Sequence, residues 1–569
     1  MRKDRLLWIG VALILVGGLL AWFTQTAGGI RIQDIRFNGA NGALMSGLLY
    51  IPANATAKTP APGVLAVHGY YNSRETHSAF AIEFARRGYV VLALDQRGHG
   101  YSDPPAFAEG FGGPDALKYL RSLEFVDKDN IGLEGHSMGG WTVLAAAAAF
   151  PNDYKSLVLE GSSTGAPFAP EGTPTYPRNL AVVFSQYDEF APFMWQSPRG
   201  PEVAQSKKLW QVFGTQGAVE PGKLYGSIDA GNARVFYAPS ITHAQDHISS
   251  EAVGHALDWF QRTLQGGKTL PAADQIWIWK ELGTLVALIG FVVLLLGVFE
   301  ALLRLPYFAP LVATPSVPPN DTRDRRWWIA FLATALLPAL TFFPFLALGA
   351  WALPASRVLP QGITNELVAW AVLNGVIAYV LLLVWRAEKP AFNVRIAESI
   401  AIALLTVAIG YAALAVADFL FKIDFRYWVV GLKLMNRTQF LYGMIYLIPF
   451  TAFFLVALHA LHATLAVRGD SVTKQYLTNI VALTLGFIVF LLIQYGTLFT
   501  TGKLILPTMN PLEALRTILA IQFVPLMAAV ALISTFAYRR TNSFLPGALI
   551  CGLLVTWYIV AAQVTHAPV

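Results

Sequence analysis

The sequence predicts an α/β domain, a mostly parallel sheet with helices on both faces, joined to an all-α polytopic transmembrane domain. Three observations carry that reading. Of the 569 residues, 55% are hydrophobic and only 13% charged, with a mean hydropathy of +0.49, outside the range of ordinary soluble domains. Short β-rich runs alternate with helical stretches between residues 30 and 270, and apolar runs of membrane-spanning length take over beyond 276. The expected domains are an N-terminal transmembrane anchor over 1–27, the α/β domain over 28–270, and a membrane domain of about eight helices over 271–569.

The first element is LLWIGVALILVGGLLAWF, preceded by MRKDR. Its apolar part is longer than the core of a signal peptide, so an uncleaved anchor is expected, with a signal sequence as the alternative. IRIQDIRFNGANGALMSGLLYIPA then reads as two strands around an Asn-Gly turn. PGVLAVHGY, GYVVLALDQRGHG, NIGLEGHS, SLVLEGSS, NLAVVFSQYDEF and ARVFYAP are further strands, and THSAFAIEFARRG, PDALKYLRSLEF and SMGGWTVLAAAAAF are helices between them. The stretch 193–232 is either a small cap or a surface excursion.

Eight further spans are centred near residues 291, 340, 374, 408, 450, 489, 525 and 554. With Arg2, Lys3 and Arg5 in the cytoplasm, Arg323, Arg325, Arg326, Arg386, Lys389, Arg539 and Arg540 fall on the same side, and the α/β domain faces outward. Asp418, Gln494 and Gln563 then lie toward the outer helix ends. The outer loop KIDFRYWVVGLKLMNR, basic and aromatic, is expected on the membrane surface. His459 and His462, spaced i and i+3, suit a helix end at the interface.

The informative motif is Gly135-His136-Ser137-Met138-Gly139, which follows a strand and opens a helix. In that setting a tight turn lifts the serine hydroxyl out of the sheet, and glycines are needed because side chains would clash. Together with HGYYNSRE, DQRGHGYSD and ITHAQDH, in that chain order, it makes residues 30 to about 265 resemble the α/β-hydrolase family, most closely its dienelactone-hydrolase and serine-aminopeptidase-like branches. The resemblance implies Ser137 as nucleophile, His243 as base with His247 as the alternative, and Asp188 as the acid with Glu189 beside it. It further implies backbone N–H groups of Met138 and Tyr70 as the oxyanion hole. His68, Asp95, Arg97 and His99 read as residues that brace loops.

The implied activity is that of a serine esterase acting on a small-molecule or lipid-like ester, with membrane lipids as surroundings. A peptidase of the aminopeptidase type and a non-catalytic sensor or transporter are the alternatives. No motif calls for a cofactor or a metal. The net charge of +6 is spread between apolar runs, which argues against a nucleic-acid partner. The single cysteine, Cys551, cannot form an intramolecular disulfide.

Overall fold

The computed structural model describes residues 4–318, 320–385, 391–505 and 511–567, so Arg2, Lys3, Arg386 and Lys389 lie outside it. The chain groups into two compact units. One comprises Leu19–Leu282, Gln494–Leu515 and Ala562–Val569, and the other Met1–Gly18, Gly283–Ile493 and Arg516–Ala561. This grouping cuts across the sequence division at 27 and 270, because two late segments pack with the α/β fold.

Helix α1 (Arg5–Gln25) leads into the sheet unit. The strands are β1 (Arg31–Asn38), β2 (Leu44–Ile51), β3 (Ala61–Val67), β4 (Val90–Asp95), β5 (Val126–His136), β6 (Ser156–Glu160), β7 (Leu180–Val183) and β8 (Arg234–Tyr237). They form one sheet of order β1-β2-β4-β3-β5-β6-β7-β8. β1 pairs antiparallel with β2 and β2 with β4, and the remaining neighbours are parallel. β3, β4, β6 and β7 are buried along their whole length, as strands covered on both faces must be, and their apolar runs are accordingly unbroken rather than alternating.

The covering helices are α2 (Ser78–Arg86), α3 (Gly113–Ser122), α4 (Met138–Ala149), the short α5 (Ala191–Trp195) and α6 (Lys207–Phe213), and α7 (Ser250–Thr263). α7 turns Ala252, Val253, Ala256, Leu257 and Phe260 inward, a helical spacing, and its first turn is capped by Ser249, whose side chain accepts from Ala252 N–H. Phe260 meets Phe84 of α2, with ring centroids 5.1 Å apart, in a core shared with Val64, Val91, Val158 and Val183. Every strand that the sequence predicts is present, and the excursion 193–232 holds only the short α5 and α6 and a 3-10 turn.

The other unit is helical. After α8 (Trp277–Leu302) come α9 (Arg325–Leu340), α10 (Phe342–Ala352), α11 (Gly362–Trp385), α12 (Ile396–Phe421), α13 (Arg437–Thr464), α14 (Val472–Thr501), α15 (Pro511–Thr541) and α16 (Leu545–Ala562). Among the described residues, eight helices are long and apolar enough to cross a membrane, or nine if α9 and α10 count as one span bent by 49°. The bend follows Pro338, which has no N–H for the helical ladder. α1 and α8 meet through glycines on a seven-residue spacing. A Cβ on Gly10 would stand 2.5 Å from Leu294 N, one on Gly17 2.4 Å from Gly283 O, and one on Gly297 2.3 Å from Leu7 N.

The loop after α12 departs from expectation. It folds into a hairpin of β9 (Phe425–Tyr427) and β10 (Val430–Leu432) and buries Arg426 and Lys433, which are 3% and 1% exposed. Arg426 Nε donates to Asp424 Oδ2 at 2.5 Å, and a paired guanidinium can leave water where a lone one could not. Of its four basic residues, only Arg437 is exposed on the scale that a membrane-surface loop requires. His462 is buried against Tyr538 and His459 stacks on Phe544, so both rings are packed among aromatics.

Candidate active site

Ser137 sits at the junction of β5 and α4 with φ 54° and ψ −120°, a left-handed backbone that costs a non-glycine residue of order 1–3 kcal/mol and holds only because its surroundings dictate it. The surroundings are tight. A Cβ on Gly135 would lie 2.2 Å from Gly139 O, and one on Gly139 would lie 2.1 Å from Val67 O, so the elbow forms only with glycine at both positions. Ser137 N–H donates to Glu160 O at the end of β6 (2.8 Å), while the residue itself stays partly accessible.

The loops after β7 and β8 bring Asp188 and His243 together. His243 Nδ1 lies 2.8 Å from Asp188 Oδ2, and Asp188 Oδ1 accepts from Phe190 N–H at 2.8 Å. With Nδ1 engaged by the carboxylate, the tautomer leaves Nε2 as the basic nitrogen. Burial depresses the His243 imidazole below its usual range, partly offset by the Asp246 and Glu189 carboxylates, so the ring is neutral at pH 7. Burial and the Asp246 charge push the Asp188 carboxyl up, and the Phe190 N–H pulls it back. Glu189 grips the same loop differently: Oε2 accepts from the His243 backbone N–H (3.0 Å) and Oε1 from the Tyr495 hydroxyl (2.9 Å). Burial, reinforced by Asp188, raises its carboxyl to about 7. His247 stands apart from Asp188, against the rings of His136 (4.0 Å) and His77 (5.5 Å).

Met138 opens α4, where an N–H has no helical carbonyl to serve. Tyr70 lies in the turn 69–72, closed by Asn72 N–H to Gly69 O at 3.3 Å, and a Cβ on Gly69 would come within 3.2 Å of Ser137 Cβ. The Tyr70 ring is held from outside by His566: its hydroxyl and His566 Nε2 are 2.6 Å apart. His566 follows a short strand-like contact in which Thr565 N–H donates to Gly98 O (2.8 Å) and Thr565 O accepts from Ala106 N–H (3.0 Å). Burial lowers the His566 imidazole to about 4, so it is neutral. Phe107 and Phe168, 44% and 37% exposed, continue from Tyr70 to Trp141 and Phe193 as an aromatic rim.

Tyr495 and His566 escape sequence reasoning, although Gln494 and Gln563 beside them mark both segments as polar. Their partners are hundreds of positions away, and no local pattern announces such a pairing. Asp95 accepts from the Ser46 hydroxyl and from the backbone of Arg74 and Tyr101, and His68 Nε2 accepts from Gln96 N–H. These are loop-bracing contacts.

Behind His243 lies a buried polar group. His77 Nε2 and Glu134 Oε2 are 2.5 Å apart, Ser185 Oγ donates to Asp246 Oδ1 at 2.5 Å, and burial pushes the Glu134 and Glu160 carboxyls well up. His136, His243 and Asp246 each present a ligand atom within 4.8 Å of the others, a spacing that could admit a metal ion. Such an ion would compete with Asp188 if it took His243 Nδ1.

Residues 62–197 match the family model of the alpha/beta hydrolase fold. This unit has that fold. The chain is also similar to a monoacylglycerol lipase of Mycolicibacterium smegmatis, 34% identical over 111 residues, covering 18% of this chain and 38% of the relative. A serine hydrolase of Mus musculus is 31% identical over 106 residues, covering 18% and 35%. The chain thus spans under two fifths of the length of these curated relatives. Among solved structures, an esterase of Pyrococcus furiosus aligns over 42% of this chain and 94% of its own at 15% identity, with a TM-score of 0.29.

Proposed function

We propose that the protein is a membrane-embedded serine hydrolase that cleaves carboxylic esters through Ser137, His243 and Asp188. The observation that carries the reading is the 2.8 Å contact between Asp188 and His243 Nδ1, on the loops after β7 and β8, in the unit whose β5–α4 elbow carries Ser137. Ser137 Oγ attacks the ester carbonyl as His243 Nε2 takes its proton, and Asp188 stabilises the imidazolium that forms. The oxyanion receives hydrogen bonds from the N–H groups of Met138 and Tyr70. His243 then passes the proton to the departing alkoxide, leaving an acyl-serine. Water attacks that ester with His243 again as base, releasing the acid and restoring Ser137.

The aromatic rim of Phe107, Phe168, Trp141 and Phe193 favours an apolar acyl group, and the similarity to a monoacylglycerol lipase points the same way toward lipid-like or amphiphilic esters. In this reading the long apolar helices lie in the cell membrane and the hydrolase faces outward. A bacterial alkaline phosphatase fusion after residue 265 is expected to be active, and an inactive one reverses the orientation.

The central test is labelling of the detergent-solubilised protein with a fluorophosphonate. Wild type is expected to label, and Ser137→Ala to lose labelling and at least about 10⁴-fold in ester turnover. A folded wild type that stays unlabelled removes the proposal. Because burial depresses His243, the acid limb of kcat/KM is expected below pH 6.5, since the base is lost only when pH falls through that lowered value.

A further inference from the structure

The hydrolase unit takes in residues 494–515 and 562–569, and both segments touch the loops on which the proposed chemistry depends. Phe499 packs edge-on against Tyr187 (5.1 Å), and Gly502 lies so close to Arg199 that a Cβ there would stand 2.9 Å from its side chain. The first segment thus runs along the loop that bears Asp188 and Glu189. Tyr495 ends that contact with a hydrogen bond to a carboxylate whose other oxygen holds the backbone of His243. The second segment is fixed by the two backbone hydrogen bonds of Thr565 and reaches the side chain of Tyr70 through His566.

We infer that Tyr495 and His566 are positioning residues of the hydrolase site, the first setting the His243 loop through Glu189 and the second setting the Tyr70 turn. This rests on the serine-hydrolase reading above. Neither residue touches the reacting atoms. Each controls where a reacting group is held, Tyr495 the imidazole and His566 the oxyanion turn, and a misplacement of about 1 Å at such a group costs on the order of 10²-fold in rate.

The Tyr495 arm works through geometry. One Glu189 oxygen accepts from the Tyr495 hydroxyl and the other from the His243 backbone N–H, so loss of the hydroxyl releases one end of the carboxylate that sets the His243 loop. A segment that merely tethers the fold would lower the amount of active protein and leave the labelling rate of each folded molecule where it was.

The experiment uses the full chain in detergent and follows the rate of fluorophosphonate labelling per folded molecule at pH 8. Tyr495→Phe is expected to slow labelling about threefold to tenfold, and in a Glu189→Gln background to slow it no further. His566→Ala is expected to slow labelling by a similar factor, Tyr70→Phe to be no worse when combined with it, and His566→Gln to restore most of the rate, because an amide can hydrogen-bond the Tyr70 hydroxyl in either direction. If wild type labels while Tyr495→Phe and His566→Ala both label at the wild-type rate, this assignment falls and the hydrolase reading stands. If folded wild type does not label, both fall.

Discussion

The sheet unit and the glycine seam between α1 and α8 solve opposite packing problems. Around the sheet, large side chains such as Phe84, Trp259 and Phe260 are fully buried, and removing them from water is what holds the layers together. Along α1 and α8, Gly10 and Gly17 face Gly283, Gly290 and Leu294, and the backbones approach so closely that no Cβ fits. Lipid gives helices no hydrophobic reason to associate, so close contact of backbones supplies the attraction instead. The same composition of apolar residues therefore means bulk around the sheet and absence of bulk along this seam.

The contrast can be broken from either side. The largest effect is expected from Phe260→Ala, which empties a core position beside Phe84 and costs about 3–5 kcal/mol, read as a fall in the thermal midpoint of fluorophosphonate labelling. Its mirror image is Gly290→Leu. A Cβ there would lie 2.7 Å from Leu13 Cβ and 2.8 Å from Ile14 N, so enlargement should cost about 1–3 kcal/mol in denaturation of the solubilised protein. Equal tolerance of the enlargement would end the idea of a glycine seam. The smallest effect is expected from Ser249→Ala, which removes the cap on α7 and lowers the same labelling midpoint by about 1 kcal/mol of stability.

How much of this was legible in the sequence follows from the range of each interaction. The strands of the sheet, the elbow at Ser137 and the ordering of Asp188 before His243 are local or follow chain order, and each could be read from short runs and turn residues. The glycines of α1 and α8 were visible as letters, yet nothing in either helix states which other apolar run it meets. The basic loop 422–437 misled for a related reason: charge suggested exposure, while Asp424, two residues from Arg426, allows the pair to be buried. Tyr495 and His566 were illegible because their meaning resides wholly in distant partners.

That distance has a consequence for how the protein comes into being. Tyr70 and His566 are 496 positions apart, and a chain emerges from the ribosome at roughly 5–20 residues per second. The sheet, its elbow and the Asp188–His243 pair are all translated, and free to fold, before α14 and the segment 562–566 exist. For that interval of tens of seconds the unit lacks the contacts of Tyr495 and of Thr565, and the loops they hold retain the freedom of unfinished structure. Completion of the last helices is thus also the event that finishes the fold begun at β1.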